Sequence, residues 1–399
     1  MIAAISKGAT RIRNYSTGAD CHSTLGCVRA LGIDVEGSGT EFVIRGKGLD
    51  GLRAPAGPLD AGNSGSTIRM LSGILAAQPF QSRIIGDESL SRRPMQRIMK
   101  PLGEMGARIC AREGQFPPLE IEGATLHPID YRLPVPSAQV KTCILFAGLF
   151  AEGLTSVTEP VRSRDHTELA LREFGAEVEI DRLKITVAGR PELTGREVEV
   201  PSDLSSAAFF LVAALLVPGS RLSIRGVGLN PTRSALLDFL SGMGAKIRIA
   251  DLDSRNGELA GEITVEYSIM RGGTIDGALT AALIDEIPVL AVLGAATEEG
   301  LTVHDAAELR VKETDRIRTV VENLGRLGVQ AQELPDGIVV PGRQTFRAGR
   351  FDSCGDHRIA MAFAVAALRA DGESVIEGAE AASVSFPEFW DALALCTQG

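Results

Sequence analysis

Two short runs in the second half of the chain gather the groups that acid–base chemistry needs. The segment AALIDEIP, Ala281 to Pro288, sets Asp285 and Glu286 against an apolar run. The segment LRVKETDR packs Lys312, Glu313, Asp315 and Arg316 into five residues. Asp285 and Glu313 could work as a general acid–base pair if the fold joins them, with unequal surroundings separating their pKa values. Standing alone, the Lys312 to Arg316 run reads more plainly as a helix face with local ion pairs. A third run, CGDHR, puts Arg358 at a helix start, where it could meet an anion; His357 beside it reads as structural.

The first half offers anion-binding chemistry instead. A helix N-terminus has unpaired amide groups and the positive end of the helix dipole, so small residues there can cradle phosphate or carboxylate. Gly62-Asn63-Ser64-Gly65-Ser66-Thr67 with Arg69 fits that description, and so does Ser137-Ala138-Gln139-Val140-Lys141. Each is also what an ordinary capped helix after a turn looks like. Arg92-Arg93-Pro94 and Arg162-Ser163-Arg164-Asp165-His166 lie in polar loops before helices. A single loop arginine is usually solvated; recurrence at matching places in successive repeats favours ligands, because the planar guanidinium fork suits carboxylate and phosphate oxygens.

The elements that must position these groups repeat along the chain. Similar stretches begin at Gly8, Gln81, Gly153, Gly219, Gly300 and Gly372, spaced by about 70 residues, as repeated supersecondary units are. Each opens with a short alternating strand and a polar loop. An amphipathic helix follows, often closing on Leu-Gly or a variant such as Phe174-Gly175, where glycine suits a helix C-terminus. A second, almost wholly apolar helix precedes each opening turn, starting near Ser64, Ser137, Ser202, Asp285 and Gly355. Helices apolar on nearly every face belong inside. Six copies divide three and three, with a boundary near residue 200 at Pro201-Ser202-Asp203. This predicts an α/β protein of two domains, 1–200 and 201–399, each of three βαβαββ-type units with sheets wrapped around buried helices. Only Met1 to Lys7 precede the first copy, resembling the last turns of an inner helix without its polar start. The expectation is therefore a truncated first repeat, with a degenerate terminal repeat as the alternative.

Composition narrows the function classes. With 399 residues, 44% hydrophobic and 23% charged, the chain can bury two ordinary cores. A net charge of −10 argues against a broad nucleic-acid surface but leaves room for a local cluster of cations around a small anion. The six cysteines form no CxxC pattern and sit at no metal-ligand spacing with the five histidines, so reduced thiols and no metal are expected. The longest apolar stretch, Ala207 to Pro218, is far short of the ~20 residues a membrane-spanning helix needs. These features predict a cytoplasmic location and a monomer acting on small anionic substrates, without nucleic acid or membrane.

On these same residues the chain resembles the 3-phosphoshikimate 1-carboxyvinyltransferases, the EPSP synthase family, over essentially its whole length. The blocks are GNSGSTIRML, SLSRRPM, PVPSAQVK, SRDHTE, SDLSSAAFF, LIDEIPVLAV, ELRVKETDRI and GDHRIAMA. The resemblance implies two inside-out α/β barrels with both ligands in a cleft between them. It implies enolpyruvyl transfer from phosphoenolpyruvate to the 5-hydroxyl of shikimate 3-phosphate, with no cofactor. Carried over by position, Ser137, Ala138, Gln139, Arg164, Asp285 and Lys312 would bind shikimate 3-phosphate. Gly65, Arg93, Gln139, Arg316 and Arg358 would bind phosphoenolpyruvate. Asp285 would take the hydroxyl proton, and Glu313 would protonate the methylene carbon and reverse that step as phosphate leaves.

Two departures from the family pattern stand out. Members carry a Gly-Asp-Lys-Ser-x-x-His-Arg-Ala segment whose Lys, Ser and Arg touch the substrates, and this sequence starts just past it. Many members also have a Lys near the last Phe-Pro, where Val384 stands here. The alternatives are an inactive or ligand-binding truncated remnant, or a UDP-N-acetylglucosamine 1-carboxyvinyltransferase. The latter family uses a loop cysteine, whereas Cys110 lies in what reads as a strand end.

Overall fold

The computed structural model describes residues 1–397. The chain divides into two compact units, Met1–Val200 with Arg255–Gly257, and Pro201–Ser254 with the chain from Glu258 onward.

In the first unit three four-stranded sheets share one topology. In each, a short strand pairs in parallel with the opening strand of a repeat, and a hairpin adds two antiparallel strands on the other side. The sheets run Glu197–Glu199, Lys7–Arg13, Glu41–Lys47, Asp34–Ser38; then Leu59–Asp60, Gln81–Ile85, Phe116–Glu122, Arg108–Arg112; then Asp130–Arg132, Leu154–Thr158, Lys184–Ala188, Val178–Asp181. Inside lie the helices Gly65–Leu75 and Ala138–Gly148, with a 3₁₀ turn at Ile2–Ile5 whose Ala3, Ala4 and Ile5 are buried. The two inner helices touch backbone to backbone. A Cβ on Gly73 would come within 2.1 Å of the Cys143 carbonyl oxygen, so only glycine permits the approach.

The second unit repeats the plan with sheets of three, four and two strands. Its inner helices are Leu204–Leu216, Ile287–Ala296 and His357–Ala367, and every residue of Ile287–Ala295 is buried. Their apolar faces form one continuous core with Phe209, Phe351, Phe363 and Phe389. No single helix among the described residues is long and apolar enough to cross a membrane.

The local signals explain the element ends. Ser64 Oγ accepts from the Thr67 amide at 3.1 Å and Ser137 Oγ from the Val140 amide at 3.4 Å. Asp203 accepts from the Ser206 amide at 2.9 Å and Asp356 from the Arg358 amide at 2.8 Å. These caps fix four inner-helix starts where the polar residues predicted them. Five outer helices end before a glycine at positive φ: Gly32, Gly106, Gly175, Gly244 and Gly328.

The helix expected from Asp285 differs. It starts at Ile287, with Pro288 in its first turn, and Glu286 makes no side-chain cap bond. A short helix, Gly277–Leu283, precedes it at an angle of 109°. Proline is favoured at a helix start and disrupts an interior, so the chain breaks over Ile284–Glu286. Asp285 therefore sits in a bend, off the helical ladder.

Candidate active site

In the first unit, the start of Gly65–Leu75 carries two guanidinium groups over its backbone. A Cβ on Gly65 would stand 2.9 Å from Arg69 Nη1 and 3.5 Å from Arg93 Nη1, so a side chain there would crowd Arg69 and touch Arg93. Arg69 Nη1 donates to Gln139 Oε1 at 2.7 Å, and Gln139 Nε2 donates to Ser66 Oγ at 2.9 Å. Gln139 thus ties the starts of the two inner helices together. Arg93 is 6% exposed; its Nη2 donates to Asn63 Oδ1 at 2.7 Å and to Ser89 Oγ at 3.1 Å. Asn63 is held in turn, donating from Nδ2 to Asp87 Oδ2 at 2.7 Å. Positive ends of two helices and two oriented arginines make this region fit for an anion.

The adjacent arginine behaves differently. Arg92 pairs with Glu88 in solvent, its side chain 73% exposed, so of the Arg92-Arg93 pair it is Arg93 that turns inward. The Ser137 side chain is used as the cap, leaving its neighbours' amides at the helix start. Arg164 lies in the loop before the helix His166–Glu173, and its carbonyl oxygen accepts from Lys141 Nζ at 2.9 Å.

In the second unit, acids and bases converge on one buried guanidinium. Arg316, 1% exposed, donates to Asp356 through Nε at 2.8 Å and Nη2 at 3.2 Å, a two-point grip. Its Nη2 also reaches Glu313 Oε2 at 2.5 Å, and its Nη1 reaches Asp285 Oδ1 at 3.4 Å. Lys312 Nζ donates to the same Asp285 oxygen at 3.2 Å. Burial alone would push the Arg316 guanidinium down, yet Asp356, Glu313 and Asp285 hold it well above its ordinary value. It stays charged. Asp285 and Glu313, predicted as partners, thus share one cation.

Two neighbouring carboxylates separate in role. Asp285 turns to Lys312 and Arg316, whereas Glu286 is 5% exposed and accepts from Ser205 Oγ. Arg233 Nη2 donates to Ser205 Oγ and to Asp203. Arg358 stands with Nη1 3.9 Å from Glu286 and its guanidinium carbon 5.9 Å from the Phe209 ring centre. Arg358 Nη1 is buried and has no hydrogen-bond partner among the described residues. His357 is buried, and burial first, then the adjacent Arg358 charge, pushes its imidazole down to about 4.

Within the first unit the structure gathers Gly65, Arg93 and Gln139 with Arg69. Within the second it gathers Asp285, Lys312, Glu313 and Arg316. Ala138 and Ser137 share the Gln139 helix turn, and Arg358 lies in the first turn after the cap Asp356. Sequence reasoning missed the holders: Asn63, Ser66, Asp356 and Glu286. All four stood inside runs the sequence pointed to, Asn63 and Ser66 within Gly62–Thr67, and for Asp356 and Glu286 their acidity was the available signal. Nothing in the local sequence ties Asn63 to Arg93, 30 residues on. Cys110 pairs with Glu120 inside the strand Arg108–Arg112 and lies in no loop.

A family model described as EPSP synthase (3-phosphoshikimate 1-carboxyvinyltransferase) matches residues 1–393. The sequence is 78% identical over 393 residues to a 3-phosphoshikimate 1-carboxyvinyltransferase of Solibacter usitatus, spanning 98% of this chain and 92% of that protein. It is 53% identical over 394 residues to the one of Koribacter versatilis, spanning 98% and 92%. Among solved structures, EPSP synthase from Acinetobacter baumannii matches with a TM-score of 0.88 at 42% identity, covering 99% of this chain and 92% of that one.

Proposed function

Because the chain belongs to the EPSP synthase family, we propose that Asp285 and Glu313 are the acid–base pair of its reaction. That reaction is transfer of the enolpyruvyl group of phosphoenolpyruvate to the 5-hydroxyl of shikimate 3-phosphate, with release of phosphate. The family match over residues 1–393, with Cys110 in a strand, speaks against the UDP-N-acetylglucosamine enzyme.

In this reading Asp285 accepts the proton of the 5-hydroxyl as its oxygen bonds to C2 of phosphoenolpyruvate. Glu313 delivers a proton to C3, turning the methylene into a methyl group. The adduct collapses when Glu313 takes a C3 proton back, the double bond reforms, and the C2–O bond to phosphate breaks. A vinyl carbon is a poor electrophile until protonated, so an acid beside it contributes most. Gly65, Arg93, Gln139, Arg316 and Arg358 bind phosphoenolpyruvate. Ser137, Ala138, Gln139, Arg164, Asp285 and Lys312 bind shikimate 3-phosphate. Fixed guanidinium groups stabilise the anions without rearranging during the step. The protein acts as a cytoplasmic monomer on these small anions.

The observation that carries this reading is the shared guanidinium: Asp285 and Glu313 both contact buried Arg316. The test is phosphate release with Asp285→Asn and Glu313→Gln. Each should lower kcat by about 10²–10⁴-fold with KM within a few-fold, as loss of a positioned acid or base does. A variant keeping more than about a tenth of kcat would remove that residue from its role.

A further inference from the structure

Away from the acid–base pair, the first unit buries a lysine that the reaction does not use. Lys141 lies one turn into the inner helix Ala138–Gly148, and its side chain is 1% exposed. Its Nζ stands 2.6 Å from Glu168 Oε1, 3.1 Å from Glu159 Oε2 and 2.9 Å from the Arg164 carbonyl oxygen. An ammonium group has three N–H donors, and here three acceptors match them.

The acceptors come from three segments. Glu159 follows the strand Leu154–Thr158, Arg164 belongs to the loop, and Glu168 lies in the first turn of the helix His166–Glu173. Glu159 also accepts from the Ser163 amide at 3.3 Å and from Ser163 Oγ. Residues 163 and 164 are thereby both pinned to the inner-helix turn that carries Gln139. A buried ion pair contributes little net stability over well-packed apolar groups of the same volume. What the ammonium adds is geometry: three directed bonds that index the loop to the helix.

We infer that Lys141, with Glu159 and Glu168, is a positioning residue that sets the Arg164 loop for shikimate 3-phosphate. The inference rests on reading Arg164 as a ligand of that substrate. Positioning requires an acceptor at each corner more than it requires charge. Glu168 is the informative corner, because its second oxygen, Oε2, is buried with no hydrogen-bond partner among the described residues. A glutamine there keeps the oxygen that faces Lys141, and an alanine removes it. Burial raises the Glu168 carboxyl above its ordinary value despite Lys141.

The test is steady-state kinetics of the whole chain with each substrate varied in turn. Lys141→Met and Glu168→Ala should each raise KM for shikimate 3-phosphate by about tenfold, with kcat and KM for phosphoenolpyruvate within about twofold. Glu168→Gln should restore KM to within about threefold of the parent protein. Should Lys141→Met fail to fold, the Glu168 pair carries the test. Unchanged KM for shikimate 3-phosphate in the folded variants would overturn the inference, as would parallel rises in both KM values with a fall in kcat. Arg164→Ala is the control for the underlying reading. If it raises KM for shikimate 3-phosphate while the Lys141 and Glu168 variants do not, positioning alone fails. If it leaves that KM unchanged, the assignment of Arg164 fails and the inference falls with it.

Discussion

The two arginine clusters are held in different ways. At the start of Gly65–Leu75, Arg69 is oriented by an amide oxygen of Gln139, and Arg93 by an amide oxygen of Asn63 and a hydroxyl of Ser89. Around Arg316 the corresponding holders are the carboxylates of Asp356, Glu313 and Asp285. A neutral oxygen directs a guanidinium group and leaves its charge in place. A carboxylate directs it and also balances it, which is what allows a side chain only 1% exposed to stay ionised. The first arrangement suits capture of an incoming anion. The second suits acids that must be held ready near a cation, because each carboxylate there lies in direct contact with the guanidinium.

Breaking the balanced cluster should have the largest effect. Asp356 is fully buried and supplies both arms of the Arg316 grip, a bond from Thr314 Oγ1 at 3.2 Å, and the cap of the helix His357–Ala367. Asp356→Ala leaves a buried guanidinium group short of its main partner, which typically costs about 3–5 kcal/mol. Urea unfolding should show the free energy of unfolding falling by that amount. A loss under about 1 kcal/mol would mean that Glu313 and Asp285 hold Arg316 unaided.

The same cluster should carry a pH signature. His357 is held neutral by burial, and next by Arg358, with its folded pKa down at about 4 against an unfolded value near 6.5. Between these values the unfolded chain binds the proton and the folded chain does not, so stability rises with pH. The contribution is complete above about pH 6.5 and is lost as pH falls towards about 4, roughly 3 kcal/mol in all. Melting temperatures of the parent protein and His357→Gln should diverge over that window, the variant losing less. Parallel curves would place the titration elsewhere.

How far the sequence could be read follows from the range of each interaction. The caps at Ser64, Ser137, Asp203 and Asp356 were legible because a cap acts over two or three residues. Glycines after the outer helices were legible for the same reason. Asp285 and Glu313 were legible as chemistry, and their distance through Arg316 was not, since it depends on the bend at Ile284–Glu286. Part of that bend was signalled by Pro288, which an apolar reading of IDEIPVLAV passed over. The holders Asn63 and Gln139 bind arginines 30 and 70 residues away, and no local pattern encodes such pairs. Lys141 was visible in SAQVK, but a lysine near a helix start ordinarily points to solvent. Only the folded positions of Glu159 and Glu168 turn it inward.

The sharpest test of neutral against charged holding changes one atom. Asn63 Oδ1 accepts from Arg93, and Asn63 Nδ2 donates to Asp87. Asn63→Asp keeps an oxygen facing Arg93 and adds a negative charge beside it, while giving up the bond to Asp87. A unit charge at hydrogen-bond distance from Arg93 opposes a bound anion by about 1–2 kcal/mol once partial solvent screening is counted. KM for phosphoenolpyruvate should therefore rise by about tenfold, with kcat within about twofold. Asn63→Ala separates the two contributions, since it loses the oxygen and adds no charge. If orientation matters more than charge, the alanine variant will show the larger rise in KM; if the charge of Arg93 captures the anion, the aspartate variant will. Equal and small changes in both would mean that Arg93 is placed by its packing and that the contrast between the clusters has no bearing on affinity.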